Sequence, residues 1–272
     1  MKNGFVIFLT AFGVLLTSWS ALVLAPQLQL GGARQVPVLN STDLYPTTRP
    51  GEAAQGLTIY RANGCAACHT MQVQQAGVAA EVVLLSAGKK NPSAVSNLVA
   101  TLKLSGLTEE AAEDASEKIT AAGGKVETHI VATGPDIARG WGLRHSVAED
   151  FLYDYPVQLG SLRIGPDLAG VGMRLPDANW QLLHLYAPKS VVPGSAMPPF
   201  RYLFETRKIV GGVHSPDALN LQNEFAPAPG YEVVPKPEAK QLVAYLLSLH
   251  ADVPLYDAPF TPPQISTNAP AK

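Results

Sequence analysis

The chain has 272 residues, enough for one or two domains with buried cores. Its formal net charge of -2 gives no support for a nucleic-acid-binding surface, so no nucleic-acid partner is expected. Two cysteines, Cys65 and Cys68, are too few for a disulfide framework.

The first predicted element is an apolar helix at the N-terminus. The segment from Gly4 to Leu24 carries no charge and, at about 1.5 Å per residue, can span a hydrocarbon core of about 30 Å. The alternative is a cleaved signal peptide, but its apolar region would be unusually long and Pro26 would follow the best cleavage point. We therefore expect a retained single-pass anchor over residues 1–29, followed by a linker over residues 30–54.

The central motif is Cys65-Ala66-Ala67-Cys68-His69, which a short helix from Gln55 approaches. Two thiols on one side of a helical turn can add across the two vinyl groups of haem, and the next residue, His69, is then held beneath the iron. A zinc site would need further ligands at tight spacing, and a thioredoxin-like pair would need a βαβ setting. The motif predicts one covalent haem c, bound by residues 55–77 as the first part of a haem domain.

The segment 78–135 is predicted to be a small inserted α+β module with the order strand, helix, helix, strand. The expected elements are a strand over 81–86, helices over 92–104 and 108–122, and a strand over 125–131. Gly88-Lys89-Lys90 and the run from Gly106 to Ala111 resemble the C-terminal domain of the bacterial ribosomal stalk protein. This resemblance implies a fold and no ribosomal function, and we expect the module to contact another subunit or an electron donor.

Residues 136–250 are predicted to complete the haem domain. Gly165-Pro166-Asp167-Leu168 is typical of a tight turn that opens a short helix. In c-type cytochromes a proline carbonyl at such a turn commonly accepts the Nδ1–H of the proximal histidine, and Pro166 is the candidate. Arg163 and Arg174 are candidate partners of the haem propionates, with a solvated surface position as the alternative for each.

A six-coordinate haem needs a second axial ligand from elsewhere in the chain. Met197 lies in a proline-rich loop whose fixed φ angles can hold a thioether over the iron at low entropic cost. Met173 is expected to pack near the porphyrin, and His145 and His184 are the competitors for the ligand position. The predicted iron ligands are therefore His69 and Met197, a pair that raises the reduction potential relative to two histidines.

The last predicted helix, over residues 237–250, carries its apolar side chains on one face. It fits the C-terminal helix that crosses the N-terminal helix of a cytochrome c domain. A Pro- and Ala-rich tail follows over residues 251–272 and is expected to be extended or loose. The predicted fold is thus mostly α: one transmembrane helix and a cytochrome c-like helical domain, with the small β-α-α-β module inserted.

Several segments resemble a known family, the monohaem subunit (subunit II) of cbb3-type cytochrome c oxidases, which are C-family haem–copper enzymes. They are Asp150-Phe151-Leu152-Tyr153-Asp154-Tyr155-Pro156, residues 160–169, and residues 184–193 with Met197-Pro198. The resemblance implies His69 and Met197 as axial ligands and a single pass through the bacterial inner membrane, with the haem domain in the periplasm. Gly194 and Ala196 stand where the family usually has Glu and Asn, which leaves the hydrogen bonds around the Met197 loop open.

The resemblance implies a partnership with the haem–copper catalytic subunit, other cytochrome c subunits, a donor cytochrome and the lipid membrane. The implied function is transfer of single electrons to a terminal oxidase in aerobic respiration, without bond chemistry in this chain. Two alternatives stay open: the cytochrome subunit of a nitric oxide reductase, and a membrane-tethered shuttle. A copper-carrying oxidase subunit is not expected, because a dinuclear copper site would need another cysteine pair. A catalytic cytochrome is not expected either, because it needs an open coordination position on the iron and Met197 would occupy that position.

Overall fold

The computed structural model describes residues 3–38, 44–250 and 253. The predicted tail lies outside the described residues, apart from Val253, as do the start of the predicted anchor and part of the linker. The chain divides into two compact units: Met1–Arg49 with Val147–Val157, and Pro50–Ser146 with Gln158–Lys272. The fold is mostly helical with small sheets, as predicted.

The first unit begins with a helical run in which α1 (Gly4–Trp19) and α2 (Ala25–Gly31) are joined by a π-helical turn, Ser20–Leu24. The wider turn precedes Pro26, whose ring has no N–H and would clash with the carbonyl four residues earlier in a regular α-helix. Within the described residues, this 28-residue run is the one helix long and apolar enough to cross a membrane.

The rest of the first unit is small and held by polar contacts. Strand β1 (Val36–Pro37) pairs antiparallel with β2 (Leu44–Tyr45). The Tyr45 hydroxyl donates to Asp150 Oδ1 at 2.9 Å, and Arg49 Nη1 lies 2.5 Å from Asp154 Oδ1. Burial raises the pKa of Asp154, and the Arg49 guanidinium opposes that rise.

The second unit opens with α3 (Glu52–Ala62), which leads into a 3₁₀ turn at Cys65–Ala67. The inserted module follows and has the predicted order of elements. It consists of β3 (Gly77–Ser86), α4 (Pro92–Thr101), α5 (Glu109–Ala121) and β4 (Lys125–Thr133).

The module has an apolar core of its own. Strands β3 and β4 pair antiparallel, with Ala80 opposite Ile130 and Val82 opposite Thr128. One sheet face packs on the two helices, and the fully or nearly buried side chains there are Ala80, Val82, Val95, Ala112, Ala115 and Ile119. Helix α4 ends three residues earlier than predicted because the carbonyls of Leu104 and Leu107 accept hydrogen bonds from β3.

The remaining elements are short. They are α6 (Pro135–Ala138), α7 (Val171–Arg174), α8 (Ala178–Tyr186), α9 (Pro188–Val191), β5 (Phe204–Lys208), β6 (Tyr231–Pro235) and α10 (Pro237–Leu247). Strands β5 and β6 form an antiparallel hairpin that the sequence analysis did not predict. Their connection of more than 20 residues carries no hairpin turn motif, so only tertiary pairing reveals the sheet.

Helices α3 and α10 cross closely, as predicted for the terminal helices of the haem domain. A Cβ atom at Gly56 would lie 1.9 Å from the Gln241 carbonyl oxygen, so the crossing requires glycine there. The rings of Tyr60 and Tyr245 pack at the crossing with centroids 5.3 Å apart. Tyr60 and residues of α10 form one wall of the candidate site.

Candidate functional site

A largely apolar cleft in the second unit brings together most of the predicted site residues. Cys65, His69, Pro166, Arg174 and Met197 all line it, although they are spread over more than 130 positions of the chain. The other lining residues come mainly from α3, α7, α8 and α10: Tyr60, Leu168, Val171, Leu175, Trp180, Gln181, His184, Leu185, Leu242 and Leu246.

The imidazole of His69 is held in a defined orientation at this cleft. Its Nδ1 lies 2.8 Å from the Pro166 carbonyl oxygen, and because that oxygen can only accept, Nδ1 carries the proton. Burial lowers the pKa of His69, which favours the neutral ring, while the Pro166 bond opposes that shift. A neutral imidazole with Nδ1–H bonded to a carbonyl presents Nε2 as a metal ligand.

Gly165 allows the close approach of the turn to this ring. A Cβ atom at that position would lie 2.2 Å from Cε1 of His69. The backbone N–H of Gly165 also donates to the Cys68 carbonyl at 2.9 Å, so the turn is bonded to the cysteine motif itself. The predicted contact between Pro166 and His69 therefore has a steric requirement that the sequence alone did not reveal.

The two cysteines lie on one helical turn and are both free thiols. The backbone N–H groups of Cys68 and His69 both donate to the Cys65 carbonyl, at 3.1 and 3.0 Å. Burial raises the pKa of the Cys65 thiol to about 11. Cys65 lines the cleft, whereas Cys68 is not among the described residues that line it.

Two of the candidates for the second axial position lie at the cleft. Met197 lines it, and its backbone N–H donates to Ser195 Oγ at 3.2 Å. His184 also lines it, with its ring stacked on Trp180 at a centroid distance of 4.9 Å. Among the described residues, neither Met173 nor His145 lines the cleft, and His145 Nδ1 lies 3.0 Å from Gln75 Oε1. Of the four candidates for the second axial ligand, only Met197 and His184 are among the described residues that line the cleft.

The two predicted propionate partners have different positions. Arg174 lines the cleft, and its Nη2 donates to the Asp167 carbonyl at 3.1 Å. Burial lowers the pKa of Arg174, and the nearby Asp167 carboxylate opposes that shift. Arg163 is not among the described residues that line the cleft; its Nη1 lies 2.9 Å from the Asp136 carboxylate and its Nη2 donates to the Gln72 carbonyl at 2.5 Å. The propionate role of Arg163 stays a prediction.

The sequence analysis missed Tyr60 and Trp180 as cleft residues. Tyr60 is fully buried and, within the described part of the chain, its hydroxyl has no hydrogen-bond partner. Burial also raises its pKa. The position five residues before Cys65 gives no chemical signal in the sequence, because an aromatic residue there is equally well explained by packing against α10.

These residues fit a haem. An apolar cleft suits the porphyrin, the neutral imidazole of His69 and the thioether of Met197 would ligate the iron, and Arg174 would face a propionate. The thiols of Cys65 and Cys68 would bond the vinyl groups. The Tyr60 hydroxyl, which has no hydrogen-bond partner in the described part of the chain, makes part of the cleft wall polar.

Residues 136–225 match the family described as cytochrome c oxidase, mono-heme subunit/FixO. The matched segment covers about one third of the 272 residues and includes Pro166, Arg174, His184 and Met197. The cysteine motif precedes it. A search of curated proteins found no match. The match supports the monohaem subunit family that the motifs resemble and, with it, a haem cofactor. It does not extend to the inserted module, whose likeness to the ribosomal stalk domain stays a prediction.

Proposed function

We propose that this chain is a membrane-anchored monohaem c-type cytochrome that transfers single electrons to the catalytic subunit of a cbb3-type oxidase. The observation that carries the proposal is the cleft itself. It brings together a neutral His69 bonded to Pro166, the thiol of Cys65 and the Met197 side chain. Pro166 and Met197 come from the segment that matches the oxidase family. When bound, the haem supplies the one-electron couple.

In this proposal each cleft residue has a defined role. Cys65 and Cys68 hold the haem covalently, which keeps it in place in both oxidation states. His69 and Met197 would ligate the iron, and Pro166 holds the His69 ring in its Nδ1–H tautomer. Arg174 provides positive charge in a largely apolar cleft. Residues 55–77 and 136–250 make up the haem domain, and residues 78–135 the inserted module.

The proposed location is the bacterial inner membrane, with the haem domain in the periplasm. Haem is attached to cysteine motifs of this kind on the outer face of that membrane, so the chain beyond the apolar helix must be translocated. The helix Gly4–Gly31 supports a membrane anchor over residues 1–29. The proposed partners are the haem–copper catalytic subunit, the other cytochrome c subunits of the complex and a donor cytochrome.

The test is purification of the protein from its native membranes in mild detergent. A haem that stays with the polypeptide after acid–acetone extraction would support covalent attachment, and a Cys65→Ala/Cys68→Ala double variant serves as the control that must lose it. Co-purification with a large polytopic subunit that holds b-type haem and copper and consumes oxygen is the expected result.

Other results would redirect the proposal. A complex with non-haem iron and nitric oxide turnover would identify a nitric oxide reductase subunit. A lone haem protein without partner subunits would identify a tethered shuttle. Wild-type protein without covalent haem would overturn the cytochrome assignment as a whole.

A further inference from the structure

We propose that a charge cluster, formed by the buried carboxylates of Asp167 and Asp136 and the partly exposed Arg163, positions the proximal histidine and sets the reduction potential of the haem. The inference rests on the proposed function, because it assumes haem bound through His69. It gives Arg163 a role different from the propionate contact expected from the sequence. The residues act on the iron through His69 and through their charge, so they are positioning residues.

Asp167 is the centre of the cluster. Its side chain is fully buried, and its carboxylate accepts from the Thr70 hydroxyl at 2.6 Å, from the Gln72 N–H at 2.8 Å and from the Ala169 N–H at 2.9 Å. The three donors meet the hydrogen-bonding capacity that burial would otherwise leave unsatisfied. The Asp167 carboxylate therefore places a negative charge beside the segment that carries His69.

These bonds join the two chain segments that determine the position of the His69 ring. Thr70 directly follows His69, and Asp167 directly follows Pro166, whose carbonyl accepts the Nδ1–H. The short bond between the Thr70 hydroxyl and Asp167 holds the segment after His69 against the turn that contains Pro166. The distance of 2.8 Å between Nδ1 and the Pro166 oxygen is thus maintained from both sides.

Arg163 extends the cluster and adds a positive charge between its two anions. Its Nη2 lies 3.8 Å from Asp167, its Nε donates to the Thr70 hydroxyl at 3.2 Å, and its Nη1 lies 2.9 Å from the buried carboxylate of Asp136. Asp136 in turn accepts from the Gln74 N–H at 2.8 Å. Arg163 therefore lies between two buried anions and beside residues 70–74, the chain segment that follows His69. Arg139 Nη1 also lies 3.8 Å from Asp136.

The charges predict shifts of opposite sign. A negative charge near the iron favours the ferric state and lowers the potential, and a positive charge raises it. Asp167→Asn removes the anion while keeping the shape of the side chain, so the potential should rise. Arg163→Gln removes the cation, so the potential should fall. A role limited to fold stability would not produce opposite shifts.

The experiment is a spectroscopic redox titration of the purified, haem-loaded protein. For Asp167→Asn we expect the ratio of ferrous to ferric haem at a fixed ambient potential to increase about tenfold, equivalent to about 59 mV for a one-electron couple. Arg163→Gln should change the ratio in the opposite direction.

Glu205→Gln, which removes an exposed charge on β5, is the matched control and should leave the ratio unchanged. Thr70→Val removes a hydroxyl without changing charge, so it should shift the ratio less than Asp167→Asn.

An unchanged or lowered potential in Asp167→Asn would overturn the proposal, as would a Thr70→Val shift as large as that of Asp167→Asn. If Asp167→Asn does not fold, the potential of Arg163→Gln decides between the outcomes, because Arg163 is partly exposed and its replacement leaves both buried carboxylates in the protein. A lowered potential there supports the proposal, and an unchanged or raised one overturns it. If the wild-type protein holds covalent haem but the variants show none of these shifts in potential, only this inference is contradicted. Wild-type protein without haem contradicts the proposed function as well.

Discussion

The inserted module and the haem cleft belong to the same compact unit but are built in different ways. The core of the module comes from four elements that are consecutive in sequence, and its buried Ser116 and Thr128 hydroxyls pair with each other at 3.2 Å. The cleft takes its walls from helices far apart in the chain, and the buried hydroxyl of Tyr60 has no partner among the described residues. The buried hydroxyls of the module pair within it, whereas the buried Tyr60 hydroxyl of the cleft has no partner among the described residues.

The ends of the module explain how it can interrupt the rest of the second unit. The Ala76 N–H donates to the Thr133 carbonyl at 2.8 Å, so the chain leaves and re-enters the domain at nearly the same point. Just outside this bond, the Gln74 N–H donates to Asp136 at 2.8 Å. Because the two ends meet, the insertion imposes little change on the path between His69 and the Pro166 turn. Changes in the cleft should therefore affect the haem, and changes in the module should affect local stability.

The largest effect is expected for Gly165→Ala. The new Cβ would lie 2.2 Å from His69 Cε1, so the ring must move away from the Pro166 carbonyl. We expect the variant to lose most of its covalent haem, measured as the ratio of pyridine haemochrome to protein. Gly194→Ala, where no atom lies within 4 Å of the new Cβ, should keep the wild-type ratio. A wild-type ratio in Gly165→Ala would show that the His69 ring does not need this orientation.

Met197→Ala tests the second axial ligand. Haem should stay attached through the cysteines, while the potential should fall by on the order of 0.1 V because a thioether ligand stabilises ferrous iron. Redox titration measures the change, with Met173→Ala as a matched control expected to leave the potential nearly unchanged. An unchanged potential in Met197→Ala, together with a shift in His184→Ala, would identify His184 as the ligand instead.

Ile119→Ala tests the independence of the module. Ile119 is fully buried in the module core, so its truncation should lower the free energy of unfolding of the module by about 2–5 kcal/mol. Hydrogen exchange of the β3 and β4 amides would measure this loss, and Val78→Ala, at a side chain 64% exposed on β3, should change the exchange little. The reduction potential should not change in either variant; a shift in Ile119→Ala would show that the two regions are coupled.

The smallest effect is expected for Thr108→Ala at the start of α5. The Thr108 hydroxyl accepts from the Ala111 N–H at 3.4 Å, and loss of such a cap destabilises a helix by about 1 kcal/mol. Urea unfolding followed by circular dichroism would measure the loss. Thr120→Ala, at an exposed position of the same helix, provides the comparison and should not destabilise it. Equal stability of Thr108→Ala and the wild type would mean that the long hydrogen bond contributes nothing.

Sequence reasoning was most accurate where the deciding interactions are local. The order of the module elements and the capped start at Thr108 depend on residues within a few positions of one another, and the structure contains both. By contrast, the short helix predicted to open at Gly165-Pro166-Asp167-Leu168 begins only at Val171. Sequence reasoning did not anticipate the contacts of Arg163 with Asp136 and Gln72, which join residues far apart in the chain, and the propionate role of Arg163 stays a prediction. It also missed the β5–β6 hairpin, whose strands are separated by a long connection.

The sequence by itself determined the cysteine motif, the apolar N-terminal helix and the β-α-α-β module, because composition and short-range periodicity are sufficient to specify them. Only the tertiary structure decided which side chains reach the cleft. It brought His184 to the cleft with Met197, separated Arg163 from it, and required glycine at position 165 against the His69 ring. The physical reason is that these outcomes depend on packing between distant segments, where distances of a few ångströms select one partner among several of the same chemical type.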